Sequence, residues 1–253
     1  MDGNKNNIKF GLTANALKFI AIVCMTIDHL AWAIFPGFSM NPIAIAMHII
    51  GRIACPVFCF FMVQGYIHTR NFNKYFTRIL IFAVISHVPY VLASFNYVDA
   101  YSFIPCFYSV FNQTSVLWGF ACGLLLIKVD ESNLKWFYKL ILSILICVVS
   151  FPADWSCVAP LIIFFMWVYR DNFKKQMIAM VLMVTTYFIV YLFALNIIYA
   201  VLQFGVVLSI PLISLYNGKR GENEKFNKFM KWFFYVFYPL HLLLIFILSY
   251  FVF

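Results

Sequence analysis

Residues 176–216 read QMIAMVLMVTTYFIVYLFALNIIYAVLQFGVVLSIPLISLY, without a basic residue. At 1.5 Å per residue one helix of this length would run about 60 Å, twice the ~30 Å hydrocarbon core of a bilayer. A tight turn near Ala194–Asn196 resolves the excess by dividing the stretch into two spans. The same reading, carried outward, places apolar runs near 17–36, 43–67, 76–95, 114–129, 136–152, 156–170, 176–194, 197–216 and 229–252. The expected fold is therefore all-α: a polytopic transmembrane helical bundle of about nine spans. Residues 1–253 form a single integral-membrane domain with no room for a separate soluble one.

Composition agrees. Of 253 residues 64% are hydrophobic and 11% charged, and the mean hydropathy is +0.91. A soluble domain is about half apolar and about a quarter charged. This chain could not cover a water-facing surface, which excludes a soluble globular domain, a disordered chain and a secreted disulfide mini-protein. The 31 Phe, 15 Tyr and 6 Trp face lipid or fill gaps between helices.

The +9 formal charge has a plain cause. Lys5, Lys9 and Lys18 precede or open the first run; Arg70, Lys74 and Arg78 lie between the second and third. Lys128, Lys135 and Lys139 follow the fourth, and Arg170, Lys174 and Lys175 the sixth. Lys219, Arg220, Lys225, Lys228 and Lys231 separate the last two. Thus 17 of 18 basic residues fall on alternate loops, while 37–42, 96–113, 153–155 and 195–196 hold none. By the positive-inside rule the N-terminus is cytoplasmic and the C-terminus, ending in Phe253, outside. The charge is a topology signal, not a sign of nucleic acid. The first run has no small-residue cleavage site and is interrupted by Asp28-His29, so it reads as a retained helix.

Arg52 is the eighteenth basic residue, inside the second run. Counted from Pro42 it lies ~15 Å deep, and Asp28, counted from Leu17, ~16 Å. Both are near mid-plane, so an Asp28–Arg52 ion pair is expected. His29 adjoins Asp28; His48 lies one turn outward of Arg52; His87 and His241 are each ~18 Å from the inner side. His68 is interfacial. Six ionisable residues on four helices thus share one slab. Such groups are expensive in hydrocarbon and usually mark a pathway or a site, and His suits proton transfer. The bland alternative is that they only hold helices together.

Other features carry less. Cys55 and Cys59, one turn apart, read as packing residues, and no metal is expected. Gly119-Phe-Ala-Cys-Gly123 reads as a close helix contact. Asp99, Asn112, Gln113 and Asp154, on the outer side, read first as solvated loop residues and second as candidates for an acceptor entrance.

Several stretches carry a family resemblance: LKFIAIVCMTIDH (17–29), GRIACP (51–56), FFMVQGY (60–66), HTRN (68–71), KYFTR (74–78) and KWFFYVFYPLH (231–241). Together they resemble the TraX family, whose named member acetylates the N-terminus of F-type pilin, and more distantly the acyltransferase-3 membrane O-acyltransferases. The likeness covers about the first 90 and last 25 residues well and the middle by hydropathy only. It implies an integral-membrane acetyltransferase in a bacterial cytoplasmic membrane, using cytosolic acetyl-CoA as co-substrate and a peptide, pilin or glycan acceptor. Under that implication His29 is the general base, and Arg52 or His241 stabilises the thioester oxyanion. Asp28, whose side chain points about 100° from that of His29, is the partner of Arg52. Arg70, Lys74 and Arg78 bind the CoA phosphates, and His48, His87 and Tyr238 line the substrate. Two alternatives stand beside it: a proton-coupled transporter relaying through the same His/Asp/Arg slab, and an assembly partner without chemistry.

Overall fold

In the computed structural model, residues 11–95 and 98–251 are described; Lys5, Lys9 and Phe253 lie outside them. The chain is helical throughout, and among the described residues there is no strand. Two isolated bridges join Leu12 to Tyr216 and Thr114 to Ala153.

The helices are α1 (Ala14–Ile34), α2 (Pro42–Gly51), α3 (Ala54–His68), α4 (Phe72–Ser94), α5 (Val116–Asp130), α6 (Trp136–Ser150), α7 (Val158–Val168), α8 (Phe173–Ala194), α9 (Ile197–Leu202), α10 (Ser209–Ser214) and α11 (Glu224–Phe251). Polar caps set where several begin. The Thr13 hydroxyl accepts from the Ala16 amide, and the Asn71, Asn172 and Asn196 side chains accept from amides three residues on. Asn196 is why 176–216 breaks where it does: its cap starts α9 just after α8 ends at Ala194.

Six helical passes are long and apolar enough to cross a membrane: α1, α2 with α3, α4, α8, α9 with α10, and α11. The expected nine crossings are met only in part. The remaining three, α5, α6 and α7, have 15, 15 and 11 residues. They rise only ~22, ~22 and ~16 Å against a ~30 Å core.

Successive passes run up and down, gathering the basic loops at one end. There the Leu12 amide donates to the Leu215 carbonyl (2.8 Å), Asn15 to Asn227 (2.6 Å), and Trp167 Nε1 to Asp130 (3.4 Å). Tyr66 donates to Glu131 at the same end. At the other end Phe38 meets Phe111 and Tyr199, and Thr114 meets Ala153.

α3 lies at the centre, buried on all sides through Val57, Cys59, Phe61 and Val63. Around it pack α1, α5, α7 and α10. α5 and α7 approach closely because Gly123 has no side chain: a Cβ there would lie 2.7 Å from Ile163. α6 sits outermost, with Leu140, Ile144, Leu145 and Val148 exposed. An apolar outer face of this kind is what lipid covers.

Candidate functional site

The second long pass is broken at its polar residue. α2 ends at Gly51 and α3 begins at Ala54, so Arg52 sits in the gap. Gly51 is required there, because a Cβ would overlap the Asp28 side chain of α1. That close approach sets the site, since α1 carries Asp28 and His29 into the bundle side by side, both buried.

Adjacent helical residues point about 100° apart, and these two serve different partners. Asp28 Oδ1 lies 2.8 Å from His48 Nδ1. His29 Nδ1 lies 2.7 Å from His241 Nε2, with the rings stacked at 5.0 Å. His241 Nδ1 is 2.9 Å from the Phe237 carbonyl. A carbonyl only accepts, so His241 carries its proton on Nδ1, and with both rings neutral its Nε2 accepts from His29 Nδ1–H. His29 Nε2 is then an unprotonated lone pair. Trp32 packs against the His29 ring at 4.5 Å.

The expected Asp28–Arg52 ion pair is replaced by Asp28–His48. Among the described residues no Lys or Arg nitrogen lies within 4.0 Å of Asp28. Arg52 instead faces the Trp155 ring at 5.4 Å, rests against Gly205, and leaves its buried Nε without a hydrogen bond. It still senses the charges of Asp28 and Asp154. His87 is used up by the loop that follows α4: its Nε2–H donates to the Phe103 carbonyl (2.9 Å), and Nδ1 accepts from the Thr114 hydroxyl (2.8 Å).

A cavity of about 430 Å³ runs into the bundle from the basic end. Lys18, Arg78, Arg220 and Lys231 line it, with His68 and Arg220 exposed at the mouth. Among the described residues none of these four cations has a carboxylate within 4.0 Å. Lys18 lies over the Phe61 and Phe234 rings, at 4.9 and 5.4 Å. Deeper, the walls are apolar: Phe61, Met62, Phe120 and Phe234. The inner end reaches Met25, one turn before His29, and Tyr238, whose ring is 5.5 Å from His241. The Tyr238 hydroxyl is buried without a hydrogen bond of normal geometry.

Of the residues singled out from the sequence, the fold thus brings together Asp28, His29, His48 and His241, with Arg52 close by, and aims Tyr238 and Arg78 into the cavity. Arg70 and Lys74 do not line it. Lys18, Arg220 and Lys231, read from the sequence only as topology signals, do. A lysine inside the opening of an apolar run, Leu17-Lys18-Phe19, was the signal available for Lys18. Asp154, an outer-side candidate in the sequence, stands near Arg52. It belongs to the turn between α6 and α7, where Trp155 and Ser156 both have positive φ, 66° and 44°.

The relatives bear on this site. The chain is 28% identical over 222 residues to the probable fimbrial assembly protein FimC, serogroup H1, of Dichelobacter nodosus, covering 85% of this chain and 87% of that one. It is 40% identical over 85 residues to the uncharacterized protein RP591 of Rickettsia prowazekii (strain Madrid E), covering 34% of this chain and 28% of that one. No solved structure matches. The family model described as TraX protein matches residues 13–249, a range that takes in α1 with its Asp28-His29, the broken second pass and His241 on α11. The chain belongs to the TraX family.

Proposed function

We propose that this protein is an integral-membrane acetyltransferase of the bacterial cytoplasmic membrane. It moves an acetyl group from cytosolic acetyl-CoA to an amine or hydroxyl of an extracytoplasmic acceptor, with a fimbrial subunit the acceptor suggested by the relative's name. The observation that carries this reading is the cavity. Four cations without carboxylate partners line its outer part, an apolar throat follows, and its inner end lies one turn from the His29–His241 pair.

The residues present fit the donor. Lys18, Arg78, Arg220 and Lys231 suit its phosphates by charge-assisted hydrogen bonds, and the Phe and Met walls suit its thin uncharged arm. The donor supplies an activated acetyl carbon on sulfur. His29 Nε2, kept unprotonated by the hydrogen bonds described above, takes the proton from the acceptor N–H or O–H. As the acetyl carbon exchanges its bond to sulfur for one to the acceptor, His29 returns that proton to the departing sulfur. His241 holds the His29 ring by its Nδ1–H and favours the Nε2 lone pair. Arg52, with Nε unpaired, is the donor available to a developing oxyanion.

The test is transfer of labelled acetyl from acetyl-CoA to a peptide acceptor in membranes containing the protein. His29→Ala at matched protein level is expected to slow transfer by a factor of about 10² or more, the usual contribution of a positioned base. Turnover like that of the unmodified protein would remove His29 from the chemistry.

A further inference from the structure

We propose that the bilayer is thinned along α6, so that its outer headgroup layer meets the bundle at the level of Arg52, about 10 Å below the outer ends of α4 and α8. The partner is lipid, and the thinning is independent of the acetyltransferase reading.

The first ground is the level of the helix ends. At the basic end α3, α5, α6 and α7 finish together: Lys139 Nζ donates to the Asp130 carbonyl at 2.6 Å, Trp167 Nε1 donates to the Asp130 carboxylate at 3.4 Å, and Tyr66 donates to Glu131. At the opposite end α5, α6 and α7 stop short. Thr114, just before α5, bonds His87 at 2.8 Å, and His87 lies seven residues before α4 ends at Ser94. The Thr114 amide also donates to the Pro152 carbonyl at 2.8 Å, so the end of α6 shares that level. Trp155, just before α7, stacks on Tyr187, again seven residues before α8 ends at Ala194. Its ring also faces Arg52, ten residues into the second pass from Pro42. At 1.5 Å per residue, these separate contacts place the outer ends of α5, α6 and α7 ~10–15 Å below those of α2, α4 and α8.

The second ground is what α6 shows to its surroundings. It packs on α5, and no charged residue occurs from Leu140 to Ala153. At its inner end Lys135, Trp136 and Tyr138 are exposed, cations and aromatic rings that match a headgroup layer. At its outer end Phe151 is exposed, and Trp118 Nε1 donates to the Val149 carbonyl at 2.9 Å. The 15 residues of α6 separate these two bands by ~22 Å, whereas the 23 and 22 residues of α4 and α8 rise ~33 Å or more. Tilt cannot close the gap, because a tilted helix spans less. A bilayer that covers all three helices must therefore thin at α6.

The third ground is backbone chemistry. Irregular backbone exposed to lipid does not occur within hydrocarbon, where its polar groups would lack partners. The turn between α6 and α7 is irregular, with Trp155 and Ser156 both at positive φ, and it carries an exposed Phe151 and a half-buried Asp154. At ~10 Å below the outer ends of its neighbours it would lie in hydrocarbon if the membrane kept an even thickness. Thinning puts it among headgroups and water, level with the break that holds Arg52.

Val148 of α6 and Val84 of α4 form a matched pair for the test. They are 64% and 63% exposed, and they lie four residues inward of Pro152 and three inward of His87, the two groups that Thr114 joins. In a bilayer of even thickness a lysine would cost the same at either position; beside a thinned bilayer the one on α6 reaches the headgroups. The full-length protein and its variants are placed in nanodiscs of dioleoyl phosphatidylcholine and unfolded by heat. Val84→Lys should lower the midpoint by about 5 °C or more, and Val148→Lys by less than about 2 °C. A loss at Val148→Lys as large as that at Val84→Lys would overturn the proposal. Cysteine variants give a second readout in which no charge has to be accommodated. A membrane-impermeant maleimide added outside right-side-out vesicles should label Val148→Cys above the level of the parent's own cysteines, and Val84→Cys no more than the parent. Labelling of both or of neither would overturn the proposal. So would a dimer in the nanodiscs that Val148→Lys dissociates, since α6 would then be covered by a second copy of the chain.

Discussion

The mouth of the cavity and the chamber at its inner end are both polar places in an apolar bundle, and they are built in opposite ways. The mouth holds charges of one sign without carboxylates, Arg220 exposed and Lys18, Arg78 and Lys231 half-buried along the way in. The chamber holds both signs, enclosed, and most of its groups already have partners: Asp28 with His48, and His29 with His241. An unpaired cation is tolerable where water reaches it, so the mouth can wait for a mobile anion. Near mid-plane the same exposure of charge would be costly, so geometry there is settled before any substrate arrives. The mouth is suited to capture, the chamber to orientation.

The largest effect that would break this contrast is expected from the chamber. Gly51→Ala places a methyl group into Asp28, so α1 and α2 must separate and the Asp28–His48 bond must stretch or part. Overpacking of this kind costs about 1–3 kcal/mol. Thermal unfolding in detergent should show a lower midpoint, together with a fall in acetyl transfer; an unchanged midpoint would mean that the two helices have slack there.

Changes at the mouth should be milder and of a different kind. Arg78→Gln and Arg220→Gln should each weaken acetyl-CoA binding a few-fold while leaving the unfolding midpoint in place. The difference from the parent should shrink as salt is raised and screening shortens the reach of the charges. Direct binding at low and high ionic strength checks this, and a loss independent of salt would point to a packing role instead.

The smallest effect sharpens the comparison from outside both places. Lys128 and Glu131 form an exposed pair at 3.6 Å at the same basic end. Lys128→Gln should change neither binding nor transfer, and stability by no more than ~0.5 kcal/mol. A sizeable loss of binding there would extend the capture surface beyond the cavity.

How much of this could be read in advance depends on what each kind of information measures. Depth could be counted. Twelve residues into the last span from the inner side locates His241, and the same counting locates His29 and Arg52, so that these groups share a level was legible at 1.5 Å per residue. Rotation about the helix axis could not be counted through a break. His48 and Arg52 lie one helical turn apart, the Arg52 amide donating to the His48 carbonyl at 3.1 Å, yet only His48 reaches Asp28. Sorting of basic residues onto alternate loops was equally legible, but which of them converge on one cavity was not. Arg78 does while Arg70 and Lys74 do not, because convergence depends on how α4 packs against α11 and α1.

What the sequence by itself determined is the helical, membrane-embedded character of the chain, the place of the turn at Asn196, the family, and the depth of its polar residues. All of these follow from hydropathy, local capping and motifs that lie along one dimension. Only the tertiary structure decided the pairing of Asp28 with His48 and of His29 with His241, the cavity between the basic end and that pair, and the inward fold of Asp154. Each of these arises from side chains on different helices, 20 positions apart for Asp28 and His48 and 212 for His29 and His241, or from a backbone turn held by its neighbours. Contacts of that sort exist only once the helices have packed.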